Sequence, residues 1–129
     1  MATELTMLAW SVLLGFVYIF ATSTVVTRER GMKWNASARD GDAKPLSALA
    51  GRLQRAQANF LETFPFFAAV AIAVVVAGRS NDTTALAAQA YFWARVVYLP
   101  LYAAGVPYVR SLVWLVSLLS ILALVFALL

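Results

Sequence analysis

The chain has 129 residues, of which 63% are hydrophobic and 12% charged. Its mean hydropathy is +0.80. A soluble domain is about 45–50% apolar and about 25% charged, so this composition belongs to a membrane protein of a single domain, residues 1–129. Cys and His are both absent. That excludes disulfides, thiolate nucleophiles, imidazole bases and nearly every transition-metal site, and any reactive thiol must come from a ligand. The net charge of +4 is small and gathered largely in one loop, which does not suit a nucleic-acid partner.

Leu5 to Thr27 holds no charged residue and is long enough to cross about 30 Å of hydrocarbon. Glu4 stands where a signal peptide has basic residues, and the apolar run is too long for one, so the segment is expected to be a first transmembrane helix. Arg28 to Lys44, "RERGMKWNASARDGDAK", reads as a polar loop. Asn35-Ala36-Ser37 matches a glycosylation sequon, which is a chance match if this loop is cytoplasmic. Pro45 sits where helices begin.

Leu46 to Ala77 reads as one long helix, amphipathic at first and then wholly apolar, with a kink expected at Pro65. "GRSNDT" follows as a turn, with Asn81 or Asp82 as N-cap. Thr83 to Ala104 forms the third helix, with one charge, Arg95, and an internal Pro100. Gly105-Val106-Pro107 marks a turn, and a fourth helix runs from Tyr108 to the C-terminus. The expected architecture is all-α: an integral membrane bundle of four transmembrane helices, about 5–27, 46–77, 83–104 and 108–129. Its many alanines permit close helix approach. Arg28, Arg30, Lys33, Arg39 and Lys44 make the first loop basic, which places it and the third loop in the cytoplasm and both termini outside.

Arg52, Arg55, Asn59 and Glu62 are spaced 3, 4 and 3 and fall on one stripe of the second helix. Arg95, Tyr98 and Tyr102 repeat the spacing on the third, Arg110 opens the fourth and Arg28 closes the first. The topology brings all of these to the cytoplasmic half of the bilayer. Each has a plainer role available. Arg28, Arg52 and Arg55 can anchor to headgroups, Tyr98 and Tyr102 can form an aromatic belt, and Glu62 can pair with Arg95. The arginines nevertheless outnumber the one carboxylate. An excess of positive charge within a bilayer calls for an anionic ligand, and guanidinium forks suit carboxylates.

"RLQRAQANFLETFPFF" resembles the signature of the MAPEG family, the membrane-associated proteins of eicosanoid and glutathione metabolism. The match is Arg-x-x-Arg-Ala-Gln-x-Asn-x-x-Glu-x-x-Pro at Arg52, Arg55, Ala56, Gln57, Asn59, Glu62 and Pro65. "ARVVYLPLY" and Arg110-Ser111 extend the likeness over essentially the whole chain, in a bacterial-type form closest to the leukotriene-conjugating synthases. The resemblance implies a homotrimer with glutathione bound between subunits near the cytoplasmic face. It assigns glutathione binding to Arg28, Arg52, Arg55, Gln57, Asn59, Glu62, Arg95, Tyr98 and Tyr102. The thiolate contact falls to Arg110 or to Ser111, because seven residues separate Tyr102 from Arg110, one more than in the eukaryotic synthases. Thr63 stands where those synthases carry an aromatic hydroxyl.

The implied activity is that of a glutathione transferase or glutathione-dependent peroxidase in detoxification. Glutathione is the co-substrate, no metal is required, and the partner is a lipophilic electrophile or lipid hydroperoxide arriving from the membrane lipid. The expected location is a bacterial inner membrane with the site toward the cytoplasm. A non-catalytic lipid- or glutathione-binding protein of the same fold is the alternative. A transporter is disfavoured, because neither internal repeats nor paired broken helices are evident.

Overall fold

The computed structural model describes residues 1–129. They form five helices: α1 (Thr3–Arg30), α2 (Met32–Ala36), α3 (Ala48–Val76), α4 (Asp82–Ala103) and α5 (Tyr108–Leu128). α3 and α4 touch each other and both of the flanking long helices, whereas α1 and α5 do not meet.

Three helices, α1, α3 and α5, are long and apolar enough to cross a membrane. The fourth crossing expected over 83–104 falls outside that class, although α4 has 22 residues. Gln89, Arg95 and three tyrosines lower its hydropathy. Arg95, Tyr91 and Tyr98 are all buried against neighbouring helices, so the polarity of α4 is turned largely into the bundle.

The end of α1 and the first loop depart from the sequence reading. α1 continues through Arg28 to Arg30 and stops at Gly31, whose φ of 88° suits glycine. Arg28 and Arg30 thus sit in the last turn, where cations favour the helix dipole. The segment read as loop then contains α2. Its end is closed by the Ser37 hydroxyl donating to the Trp34 carbonyl at 2.6 Å. α3 begins at Ala48 instead of beside Pro45. Ser47 is its N-cap, accepting from the Ala50 N–H at 3.2 Å. Glu29 accepts from both the N–H and the hydroxyl of Ser47, at 2.7 and 2.5 Å, and so ties the end of α1 to the start of α3.

α3 and α4 run on through Pro65 and Pro100. Asn81 caps α4 in a reciprocal box with Thr84. The Thr84 hydroxyl lies 2.6 Å from a carboxylate oxygen of Glu4, which is buried against it. The α4–α5 turn falls at Gly105, as the Gly-Val-Pro signal indicated. Gly105 has φ 75°, and the Gly105 and Val106 N–H groups return to Tyr102 and Leu101.

Two apolar clusters hold the bundle. The larger one, toward the Glu4 end, gathers Phe67, Ala71, Val74, Tyr91, Ile121 and Leu124 with neighbouring alanines. Phe67 and Tyr91 stack there at 4.0 Å between centroids. The smaller one, toward the basic loop, consists of Tyr18, Ala56, Phe60 and Tyr98.

Candidate functional site

The second cluster is the floor of a polar constellation. Arg95 sits eight residues before Ala103, the last residue of α4, or about 12 Å along the axis. Its side chain is 0% exposed. Nη2 donates to Asn59 Oδ1 on α3 at 2.8 Å, so its partner is a neutral amide and not the Glu62 carboxylate considered from sequence. The guanidinium lies over the Tyr98 ring at 4.3 Å and the Phe60 ring at 5.7 Å. Nε and Nη1 are buried without a partner. The Tyr18 hydroxyl donates to the backbone carbonyl of Arg95 at 2.6 Å, which fixes α1 against this turn. Sequence reading missed Tyr18. The four-residue stagger from Thr22, whose hydroxyl donates to the Leu53 carbonyl, is the only trace it leaves.

Above Arg95, toward the end of α4, lies a cavity of about 210 Å3. Asn59, Tyr98, Tyr102, Arg110, Ser111 and Trp114 line it. Tyr102 organises its cations. Arg55 Nε donates to the Tyr102 hydroxyl at 3.2 Å, and the Arg110 guanidinium lies 4.4 Å from the centre of its ring. Five residues expected together from sequence, Asn59, Tyr98, Tyr102, Arg110 and Ser111, therefore do line one space, with Arg55 and Arg95 at its border.

The other candidates stand differently. Arg52 Nε donates to the Ala103 carbonyl at 2.9 Å, so Arg52 caps the C-terminus of α4. The Ser111 hydroxyl donates to the Pro107 carbonyl at 3.3 Å within its own helix. Glu62 is the middle residue of the 29-residue α3, about 21 Å from either end, and is exposed on the surface of the single chain. It lines an apolar groove of about 410 Å3 between α3 and α5, together with Thr63, Phe66 and Trp114. Trp114 borders both spaces, so the polar cavity adjoins the apolar groove. Thr63 bonds to the Tyr91 hydroxyl at 3.0 Å and to the Phe60 carbonyl, both away from the groove. Gln57 lies apart, in a different cavity between α1 and α3, and Arg28 is exposed at the end of α1.

This arrangement offers one cation, Arg110, in the lining of the cavity, with Arg55 and Arg95 at its border and no carboxylate in the lining, beside an apolar groove between α3 and α5. Chemically it suits an anionic, hydrogen-bonding molecule next to a lipophilic one. Residues 7–129 match the model of a protein family described as the MAPEG family. No curated protein and no solved structure matches the chain.

Proposed function

Since this chain belongs to the MAPEG family, whose members are helical membrane proteins that bind glutathione and act as oligomers, we propose that it is a membrane glutathione transferase or glutathione-dependent peroxidase. The family holds glutathione transferases, peroxidases and synthases as well as non-enzymatic proteins. The observation that carries the enzymatic reading is the 210 Å3 cavity, in which Arg110 is held over Tyr102 beside Asn59 and Tyr98. The two unpartnered nitrogens of Arg95 at its base add to it.

A guanidinium favours the charged form of a neighbouring thiol and lowers its pKa. Arg110 fits this role better than Ser111, because the Ser111 proton is already given to the Pro107 carbonyl. In the transferase reaction the thiol proton leaves to solvent, the thiolate forms an S–C bond, and the leaving group departs with its electron pair. In the peroxidase reaction two glutathione molecules are oxidised to the disulfide, while a hydroperoxide is reduced to an alcohol and water. The groove beyond Trp114 supplies an apolar berth for either partner.

Arg55, Asn59, Arg95, Tyr98 and Tyr102 would hold the peptide, with Glu62 available to its amine. Gln57 and Arg28, on another face, would serve the same ligand from a neighbouring subunit of a homotrimer. The five basic residues of the first loop support a cytoplasmic placement of this end in a bacterial inner membrane. The test is conjugation of glutathione to an aryl halide by the protein in detergent, beside a direct binding measurement. Turnover that falls in Arg110→Ala while binding persists supports the reading. Binding without turnover in the wild type would leave the non-catalytic alternative, and neither would refute both.

A further inference from the structure

Tyr18 of α1 does not line the Arg110 cavity, and its side chain is 0% exposed. Its hydroxyl donates to the Arg95 carbonyl at 2.6 Å. Its ring stacks on Phe60 at 4.7 Å between centroids. Phe60 is in turn the ring that lies 5.7 Å from the Arg95 guanidinium. Tyr18 therefore supports Arg95 at two places, its backbone and the aromatic floor beneath its head group. Gly15, one turn away on α1, makes room for this floor: a Cβ there would lie 3.1 Å from Phe60 Cε1.

The turn of α4 that carries Arg95 depends on such support. Pro100 has no N–H, so the Val96 carbonyl lacks the donor that an unbroken helix would give it. The ladder of α4 is thinned directly after Arg95, and the Tyr18 bond enters from another helix at that turn. Arg95 in turn orients Asn59. A guanidinium only donates, so the amide atom of Asn59 that faces Nη2 at 2.8 Å is the oxygen, and Nδ2 is left to donate. Asn59 lines the Arg110 cavity. Tyr18, Arg95 and Asn59 thus form a line of contacts from α1 through α4 to α3 that ends in the lining.

We propose that Tyr18 is a positioning residue for the glutathione site: by fixing the turn of Arg95, it keeps Asn59 Nδ2 and the free nitrogens of Arg95 oriented before the ligand arrives. The inference rests on the glutathione reading above. Groups held in place in advance lose little freedom on binding. A purely structural role for Tyr18 has a different signature. α1 is tied to α4 a second time, by the bond between Glu4 and Thr84, and Thr84 stands 11 residues before Arg95, or about 16 Å along the helix. If Tyr18 only joined the two helices, loss of either tie would act alike on binding.

The experiment measures glutathione affinity and thermal stability of the detergent-solubilised protein, as wild type, Tyr18→Phe, Thr84→Val, Arg95→Met and the double variant Tyr18→Phe with Arg95→Met. Tyr18→Phe keeps the ring on Phe60 and removes only the hydroxyl. It is expected to weaken glutathione roughly threefold to tenfold, the worth of one hydrogen bond. Thr84→Val is expected to lower the melting temperature and leave the affinity unchanged. In the Arg95→Met background Tyr18→Phe should weaken binding no further, because a residue that acts through Arg95 then has nothing left to position. If Tyr18→Phe does not assemble as the wild type does, Gly15→Ala, which displaces Phe60, takes its place with the same expectations. Undiminished affinity in Tyr18→Phe or in Arg95→Met, equal weakening by Thr84→Val, or a full Tyr18→Phe effect in the Arg95→Met background would each overturn the proposal while leaving the glutathione reading in place. A wild type that binds no glutathione overturns both.

Discussion

Replacing Arg95 with methionine should stabilise the ligand-free protein and abolish its stabilisation by glutathione. Arg95 is fully buried with one hydrogen bond, to Asn59, and with Nε and Nη1 unpartnered. The Asn59 bond contributes about 1.5–3 kcal/mol, and the Tyr98 face at 4.3 Å about 2 kcal/mol when desolvated. Against this stand the two orphaned donors, at about 1–3 kcal/mol each, and several kcal/mol for dehydrating the ion itself. Apolar residues of similar volume often replace such a group with a gain of about 1–4 kcal/mol. Asn59 is only half-buried on the cavity, so water can take the place of its lost partner. Thermal unfolding in detergent, with and without glutathione, reads both halves. At a hundredfold excess over Kd the wild type should gain about 2.7 kcal/mol and Arg95→Met far less. An Arg95→Met variant that is destabilised without ligand by more than about 2 kcal/mol would show that the guanidinium is already satisfied, and the inference from its free nitrogens would fail.

Thr84→Val should cost about 2–3 kcal/mol of thermal stability, since it removes the donor to buried Glu4 and half of the α4 capping box, yet leave glutathione affinity intact. Arg110→Ala should raise the pKa of bound thiol toward the ~8.5 of a free cysteine, followed by near-ultraviolet thiolate absorbance, while Ser111→Ala changes it little. Equal effects from the two variants would argue against assigning the thiolate to Arg110. A cysteine introduced at Ser37 should resist an impermeant thiol reagent applied outside intact cells; ready labelling would reverse the orientation.

The helices were legible because apolar runs and turn residues agree: Asn81 capped α4 and Gly105 ended its turn as their chemistry dictates. The first loop was misread because its order comes from contacts that periodicity does not reveal. Glu29 bonds across 18 positions to Ser47, and Trp34 lies under two arginines. The stripe on α3 divides in space. Helical spacing put Arg55, Asn59 and Glu62 on neighbouring turns, but only Asn59 lines the Arg110 cavity, while Arg55 borders it through Tyr102. Arg52 is drawn instead to the exposed carbonyls at the end of α4, a partner that depends on where two helix termini meet in space. Gln57 could not be separated from Asn59 by motif, although two residues of helix turn it to the opposite side.

The helix least suited to lipid is the one on which the candidate site depends. α4 falls outside the class of apolar spans because Arg95 and its tyrosines are polar, and those side chains make the floor and wall of the cavity. The bundle tolerates this because the two ends of α4 are built differently. Toward Glu4, Phe67, Tyr91 and Leu124 form a closed apolar core, and Thr84 ties α4 to α1. Toward the basic loop the cluster shrinks to Tyr18, Ala56, Phe60 and Tyr98, and hydrogen bonds from Tyr18 and Arg52 to α4 carbonyls hold the helix in place of further packing. The closed end supplies stability, and the open end can leave cationic groups short of partners. Loss of packing at the first end should therefore appear as instability, and loss of a cation at the second as weaker binding in a folded protein.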